Sequence, residues 1–350
     1  MKILMLSGIF GQTAEYRATH MAETPDSLLA DGLADAGIDV TTAPPHFRGD
    51  WSAYDLVHIN HLTNACVRAL LPSRGPSGRT KIVFTHHSSG WKRWRFRVVR
   101  NLIERRADSV VVFTEDERRR LDGRVPDEKV DTIFYGLAVD RFTLTRRTRP
   151  EPGQPLELLY VGQLIELKRV QLALELLNRI IQSGQPARLR IVSHRETLRP
   201  ELELHAERLG VTEHVEYLGT RTRDEIGAEM TSAHFLVLPS FREGLSTVTS
   251  EAAICGLPTL LFNVSGSEEQ VPAGWERPDP DDIERWYDLA LERIDRYEES
   301  ERAWVDNAPT VRDRLSIARM VEEHIALYTS LVRGDRDGRR RRGVKQSANR

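Results

Sequence analysis

Two glutamates eight positions apart, Glu243 and Glu251, stand in FREGLSTVTSEAAICGLPTL, residues 241–260. A Gly follows the first acid and a Gly-x-Pro closes the stretch. Two carboxylates at a fixed spacing can serve acid–base chemistry or grip a ligand rich in hydroxyls. The apolar run AHFLVLPS (233–240) leads into them, and STVTSEAAIC (246–255) has helical spacing until Gly256 and Pro258 end it. Glu243 is therefore expected on a loop at a strand's carboxyl end, and Glu251 about two turns into the next helix. Ser246 or Thr247 falls where an N-cap belongs. The backbone N–H groups of 244–247 would face outward and favour an anion. A phosphate bracketed by two acids suggests a sugar nucleotide, with hydroxyls on both sides and charge in the middle. A hydrolase pair fits less well. Eight helical residues span roughly 12 Å, against the about 5–9.5 Å a glycosidase pair needs. The plainer alternative is a capping acid followed by an exposed helical Glu.

A second cluster lies in LLYVGQLIELKRV (158–170), where Lys168 is expected at a helix start after a strand and Gly162. A cation there opposes the helix dipole, at a cost of about 0.3–1 kcal/mol unless an anion answers it. Only six of the 50 basic residues are lysines, which makes this one more noticeable. A solvated surface lysine is its bland counterpart.

The elements that must position these groups alternate from end to end. KILMLS, DVTTAP, DLVHIN, KIVFTHH, SVVVFT and KVDTIFYG read as strands in the first half, with a helix around 24–36 and another in WKRWRFRVVRNLIERRA. LELLYVG, RLRIVS, VEYLG, HFLVLPS and PTLLFN continue the pattern in the second half, with helices in RVQLALELLNRIIQ and PELELHAERLG. Buried apolar strands alternating with helices indicate parallel α/β sheets. The expected organisation is a first domain at 1–142, a Pro-, Gly- and Arg-rich linker at 143–155, and a second domain at 156–310. Helical spacing recurs at 282–298 and 311–332, and a basic tail, 333–350, has too few apolar residues to fold. Two doubly wound, Rossmann-like domains facing a central cleft are the economical architecture.

Bulk properties exclude several classes. The 350 residues are 40% hydrophobic and 29% charged with net charge −2, an ordinary globular balance offering no field for nucleic acid. Two isolated cysteines, Cys66 and Cys255, make neither a disulfide framework nor a zinc site, and a cytoplasmic setting fits. The opening MKILMLSGIFG is too short for a leader, and no apolar run approaches the ~18 residues of a membrane span. SGIFGQTAEY is not a dinucleotide-binding G-x-G-x-x-G turn, which argues against a dehydrogenase.

Taken together, VGQLIELK, VEYLG, LPSFREGLSTVTSEAAICGLPTL and SEEQV resemble the family 4 (group 1) retaining glycosyltransferases of the GT-B fold. The likeness is strong over roughly 156–271. It continues more weakly through GLADAGIDVTT, ADSVVVFTEDERRRL and YGLAVDRF, and RLSIARMVEEHIALY looks like the family's last helix, which crosses back to the first domain. The resemblance implies transfer of a sugar from a nucleotide diphosphate donor, UDP- or GDP-linked, with no obligatory metal or further cofactor. It implies that Glu243 contacts the donor sugar and that the backbone of Gly244, Leu245 and Ser246 holds sugar and phosphate. Glu251 would bind the ribose, and Lys168 would neutralise the diphosphate. Glu269 matches an acid of the family, Gly8 and Gly11 would approach the diphosphate, and His87 would stand near the transferred sugar. Strand alternation puts Val83, Thr85 and His87 on one face and His86 on the other; a one-residue shift swaps the two histidines. Departures are also visible. Gln163 stands where the family usually has Arg, so the diphosphate loses a cation. VSHRETL lacks a Gly-x-Gly near His194, Ala138 replaces an acid, and Ser265 replaces a second Gly.

The stretch after His87 places Trp91, Trp94, Val98 and Leu102 on one helical stripe among Lys92, Arg93, Arg95, Arg97 and Arg100. Such a helix can lie on an anionic membrane through residues 91–106, near a lipid-linked acceptor; a core-packed helix with solvated arginines is the alternative. The expected activity is hexosyl transfer to a glycan or lipid-linked acceptor, in polysaccharide biosynthesis, at the cytoplasmic side and possible inner face of a membrane. An epimerase of the same fold and a catalytically silent sugar-nucleotide-binding protein are the alternatives.

Overall fold

The structure, a computed structural model, describes residues 1–13, 24–71, 74–75, 78–86 and 94–335, with the backbone alone at 64, 74–75, 78 and 94–97. It forms two compact units, Met1–Leu137 together with the segment from Leu315, and Ala138–Arg314.

In the first unit the chain runs β1 (Lys2–Leu6), α1 (Pro25–Asp35), β2 (Asp39–Ala43), β3 (Leu56–Asn60), α2 (Asn64–Arg68), β4 (Lys81–Thr85), α3 (Trp94–Arg106), β5 (Ser109–Val112), α4 (Glu115–Arg119) and β6 (Val130–Thr132). The strands form one parallel sheet in the order β2-β1-β3-β4-β5-β6. β1 and β3 are buried almost throughout, as a sheet covered on both faces requires. Thr24 caps α1 and Pro25 occupies its first position, where a missing N–H costs nothing.

The second unit runs β7 (Leu156–Val161), α5 (Gln171–Gln182), β8 (Ala187–Val192), α6 (Arg199–Leu209), β9 (Val215–Gly219), α7 (Arg223–Ser232), β10 (Phe235–Leu238), α8 (Thr247–Ile254), β11 (Thr259–Leu261), α9 (Ile283–Asp295) and α10 (Tyr297–Arg314). Its parallel sheet has the order β9-β8-β7-β10-β11. α5 carries six buried apolar side chains onto this sheet, and Trp286 and Tyr287 of α9 close the core. The chain then returns to the first unit as α11 (Ile317–Arg333). There Tyr328 and His58 of β3 are hydrogen-bonded at 2.6 Å, and Gly32 of α1 has no Cβ to strike Val321.

Three expectations need correction. Residues 143–155 are not a free linker. Arg147 donates to the carbonyls of Cys255, Gly256 and Met230, and its own N–H reaches Glu301, which fastens the segment to the second unit. The chain changes unit at Leu137–Ala138 instead. The helical stretch expected at 282–298 is two helices, α9 and α10, and α10 runs to Arg314, past the expected domain end at 310. Pro309 inside α10 and its many charges hide that helix from a reading of apolar spacing. The basic tail from 336 lies outside the described residues. Among the described residues, no helix is long and apolar enough to cross a membrane.

Candidate active site

The strand order of each unit reverses once. In the second unit β7 leads to β8 on one side and has β10 on the other, so the crevice between the ends of β7 and β10 is a switch point, where ligands of such sheets bind. Both expected clusters arrive there. The loop after β7 carries Lys168 and the loop after β10 carries Glu243, and Lys168 Nζ meets Glu243 Oε1 at 2.5 Å. The side chains are 20% and 11% exposed, so the pair is screened from water yet reachable. Lys168 does not sit in a helix as expected. It ends a single 3-10 turn, Glu166–Lys168, ahead of α5, and the anion that answers it is Glu243 itself.

The two loops are held in register by Arg169, which sequence reading passed over. Its backbone is left-handed, φ 48°, an uncommon conformation for a residue with a Cβ. That turn aims the guanidinium at the carbonyls of Pro239 (3.0 Å) and Pro280 (2.6 Å) and over the rings of Phe241 and Phe262. Burial pulls its pKa below the usual arginine range. Phe241 N–H donates to Leu167 O at 2.9 Å, a second tie between the loops.

Ser246, rather than Thr247, is the N-cap of α8; its Oγ accepts from Thr249 N–H. Glu251 lies one turn into the helix, closer to its start than expected, and is 4% exposed. Arg223 Nη1, from the first turn of α7, donates to Glu251 Oε1. Behind the helix start, Gln270 Nε2 donates to Ser246 O and Ser250 Oγ, both at 2.6 Å. Gly266, φ 76°, lets its loop rest on Gly244 and Leu245, where a Cβ would come within 2.9 Å of Gly244 O. Glu269 accepts through its backbone carbonyl from Arg314. Ser265, in the place of a second glycine, has a buried hydroxyl with no hydrogen-bond partner.

Gln163 Nε2 and His194 Nε2 are 3.3 Å apart, so these two residues face one another at the ends of β7 and β8. Gly162 leaves room for the Tyr160 hydroxyl, which donates to Gln163 O. Burial and the nearby Glu243 charge push the Tyr160 pKa far above the tyrosine range, so it remains a donor.

The first unit has its own switch point, between β1 and β3. Gly8 and Gly11 bound a 3-10 turn directly after β1, and a Cβ at Gly8 would meet nothing within 4 Å. Sequence reading missed a polar cluster beside it: Ser7 Oγ donates to Asp26 Oδ2 at 2.5 Å, and His61 Nε2 lies 3.3 Å from the same oxygen. His86 is buried with Nδ1 at 2.9 Å from Glu104 Oε1, committed to the side of α3. His87 lies outside the described residues. Among the described residues, no group of three or more His, Cys, Asp or Glu side chains could hold a metal ion.

The second unit offers a cation, an acid and a capped helix start at the ends of β7 and β10, with the Glu251–Arg223 pair on the helices that follow β10 and β9, a set suited to a ligand with both hydroxyls and negative charge. Residues 142–309 match the family described as "Glycosyl transferases group 1", and residues 46–141 match "Glycosyltransferase Family 4". The chain is 28% identical over 172 residues to a D-inositol 3-phosphate glycosyltransferase of Mycobacterium leprae, a match covering 46% of this chain and 39% of that protein. It thus spans about two-fifths of the length of such relatives. Among solved structures, a sucrose-phosphate synthase from Thermosynechococcus elongatus superposes with TM-score 0.73 at 15% identity, covering 95% of this chain and 100% of that one. HepE of Anabaena, solved with UDP and glucose, superposes with TM-score 0.67 at 17% identity, covering 94% and 100%. The fold is that of the GT-B glycosyltransferases.

Proposed function

We propose that this chain, which belongs to the group 1 (family 4) glycosyltransferases, moves a sugar from a nucleotide diphosphate donor to a hydroxyl of a glycan or lipid-linked acceptor, with retention of anomeric configuration. The observation that carries this reading is the Lys168–Glu243 pair at the switch point, with Glu251 on the following helix. Lys168 and Glu243 neutralise each other when no ligand is bound. A sugar nucleotide supplies a replacement for each: sugar hydroxyls for the carboxylate, and diphosphate oxygens for the ammonium. The N–H groups at the start of α8, in Gly244–Ser246, take sugar and phosphate. Glu251 takes the ribose hydroxyls. The UDP and glucose bound by HepE support a donor of this class.

In the reaction the bond between the anomeric carbon and the diphosphate oxygen breaks, and the acceptor oxygen joins the same face of the sugar. The acceptor's proton passes to the departing phosphate oxygen. Lys168 stabilises the charge that grows on that leaving group, the type of contribution that is commonly largest. In the first unit, Gly8 leaves the turn after β1 open to the close approach of a phosphate. A lipid-linked acceptor is supported by α3, whose Val98 and Leu102 are 50% and 47% exposed beside arginines.

Calorimetric titration with UDP-, GDP-, ADP- and dTDP-sugars tests the reading. Selective binding weakened by both Lys168→Ala and Glu251→Ala is the expected result. A folded protein that binds none of them would sink it.

A further inference from the structure

Glu251 is almost enclosed, and its surroundings narrow its task. A carboxylate taken out of water keeps its charge only beside a cation or several donors. Arg223 supplies that cation from 28 residues away. Nothing local favours an arginine there, since the first position of a helix is where the dipole disfavours positive charge. Its placement is nonetheless firm. Thr222 and Glu225 form a reciprocal capping box, with Glu225 N–H on Thr222 Oγ1 and Thr222 N–H on Glu225 Oε2 at 2.7 Å, and this fixes the turn from which Arg223 projects. α7 follows β9 and α8 follows β10, so the pair joins elements that flank the ends of β8 and β7, where His194 and Gln163 stand.

The rotation of a glutamate's carboxylate is soft. Anchoring Oε1 to Arg223 restricts that rotation and fixes the plane of the carboxylate. We propose that Arg223 is the positioning residue for the nucleoside end of the donor. On this view preference for ribonucleotides over 2′-deoxyribonucleotides belongs to the Arg223–Glu251 pair, not to Glu251 alone. The inference rests on the reading above that Glu251 meets the ribose.

The test is titration of UDP, dUDP, GDP and dGDP into wild type, Arg223→Ala, Arg223→Lys, Glu251→Gln and the Arg223→Ala/Glu251→Gln double variant, with melting followed alongside. Wild type is expected to prefer the ribose form of its nucleotide by about tenfold, the scale of one charged hydrogen bond. Arg223→Ala should bring that preference to within about twofold, and Arg223→Lys should restore part of it. The double variant should be no worse than Glu251→Gln, because the two residues act as one. If Arg223→Ala keeps the wild-type ratio while melting lower, Arg223 is only structural and the inference falls. Independent losses that add in the double variant would also overturn it. A wild type that binds none of the four overturns the donor-site reading itself, and this inference with it.

Discussion

The ammonium of Lys168 and the carboxylate of Glu243 hold each other in a place only partly open to water. Removing one partner there is more damaging than the modest value of an exposed pair suggests, because the other charge is left behind. Lys168→Ala is therefore expected to weaken nucleoside diphosphate binding by roughly 1.5–3 kcal/mol. Binding of the unphosphorylated nucleoside should barely change, and equal losses for both ligands would show that Lys168 does not meet the diphosphate. A different residue-scale effect concerns pH. Burial raises the thiol of Cys66 from 9.0 to about 11 and that of Cys255 from 9.0 to about 12. Both groups stay protonated in the fold above the pH at which an unfolded chain loses those protons. Their contribution is therefore complete below about pH 9 and is lost as pH rises toward 11–12. A melting temperature that falls steadily above pH 9 is expected, and neither thiol should react with an alkylating reagent at pH 8 until the chain unfolds.

At the scale of elements, the start of α8 depends on what lies behind it. Gly266→Ala would place a methyl group 2.9 Å from Gly244 O in a left-handed backbone that alanine resists. It should cost about 1–3 kcal/mol of stability and weaken nucleotide binding, seen as a lower melting point and a higher Kd. A wild-type Kd would mean that the loop from Val264 does not shape the site. The sequence made the loop–helix unit legible because each of its signals is local: the apolar run before Glu243, Ser246 at the cap, Gly256 and Pro258 at the stop. Arg169 and Arg223 were not legible. Their partners are 70 and 28 residues away, and a positive φ at an arginine leaves no mark in the chain. α10 was hidden for a different reason, since Pro309 and a charged surface mask the few residues, such as Trp304 and Val305, that it buries. The Ser7–Asp26–His61 cluster escaped because its members come from three separate elements.

On the scale of the molecule, each unit has its own apolar core, one built on β1–β6 and the other on β7–β11. Calorimetric unfolding is expected to resolve two transitions. Gly32→Leu, which would drive a side chain into Val321 of α11, should lower one of them. Arg147→Ala, which takes the guanidinium away from the carbonyls of Thr145, Cys255, Gly256 and Met230, should lower the other. A single transition shifted by both variants would mean that the units melt as one. At the surface, α3 is expected to bring the protein down with vesicles containing anionic lipid, and Val98→Asp with Leu102→Asp to abolish this. Sedimentation unchanged by the double variant would exclude that helix as the contact.

The return of α11 to the first unit bears on how the protein is made. Residues 138–314 are one unbroken stretch and can fold as they leave the ribosome, whereas the sheet that begins at Lys2 must wait for Ile317–Arg333 to cover α1. The half synthesised first is thus completed last. A nascent chain stalled before residue 317 should hold a protease-resistant second unit behind a first unit that is still cleaved.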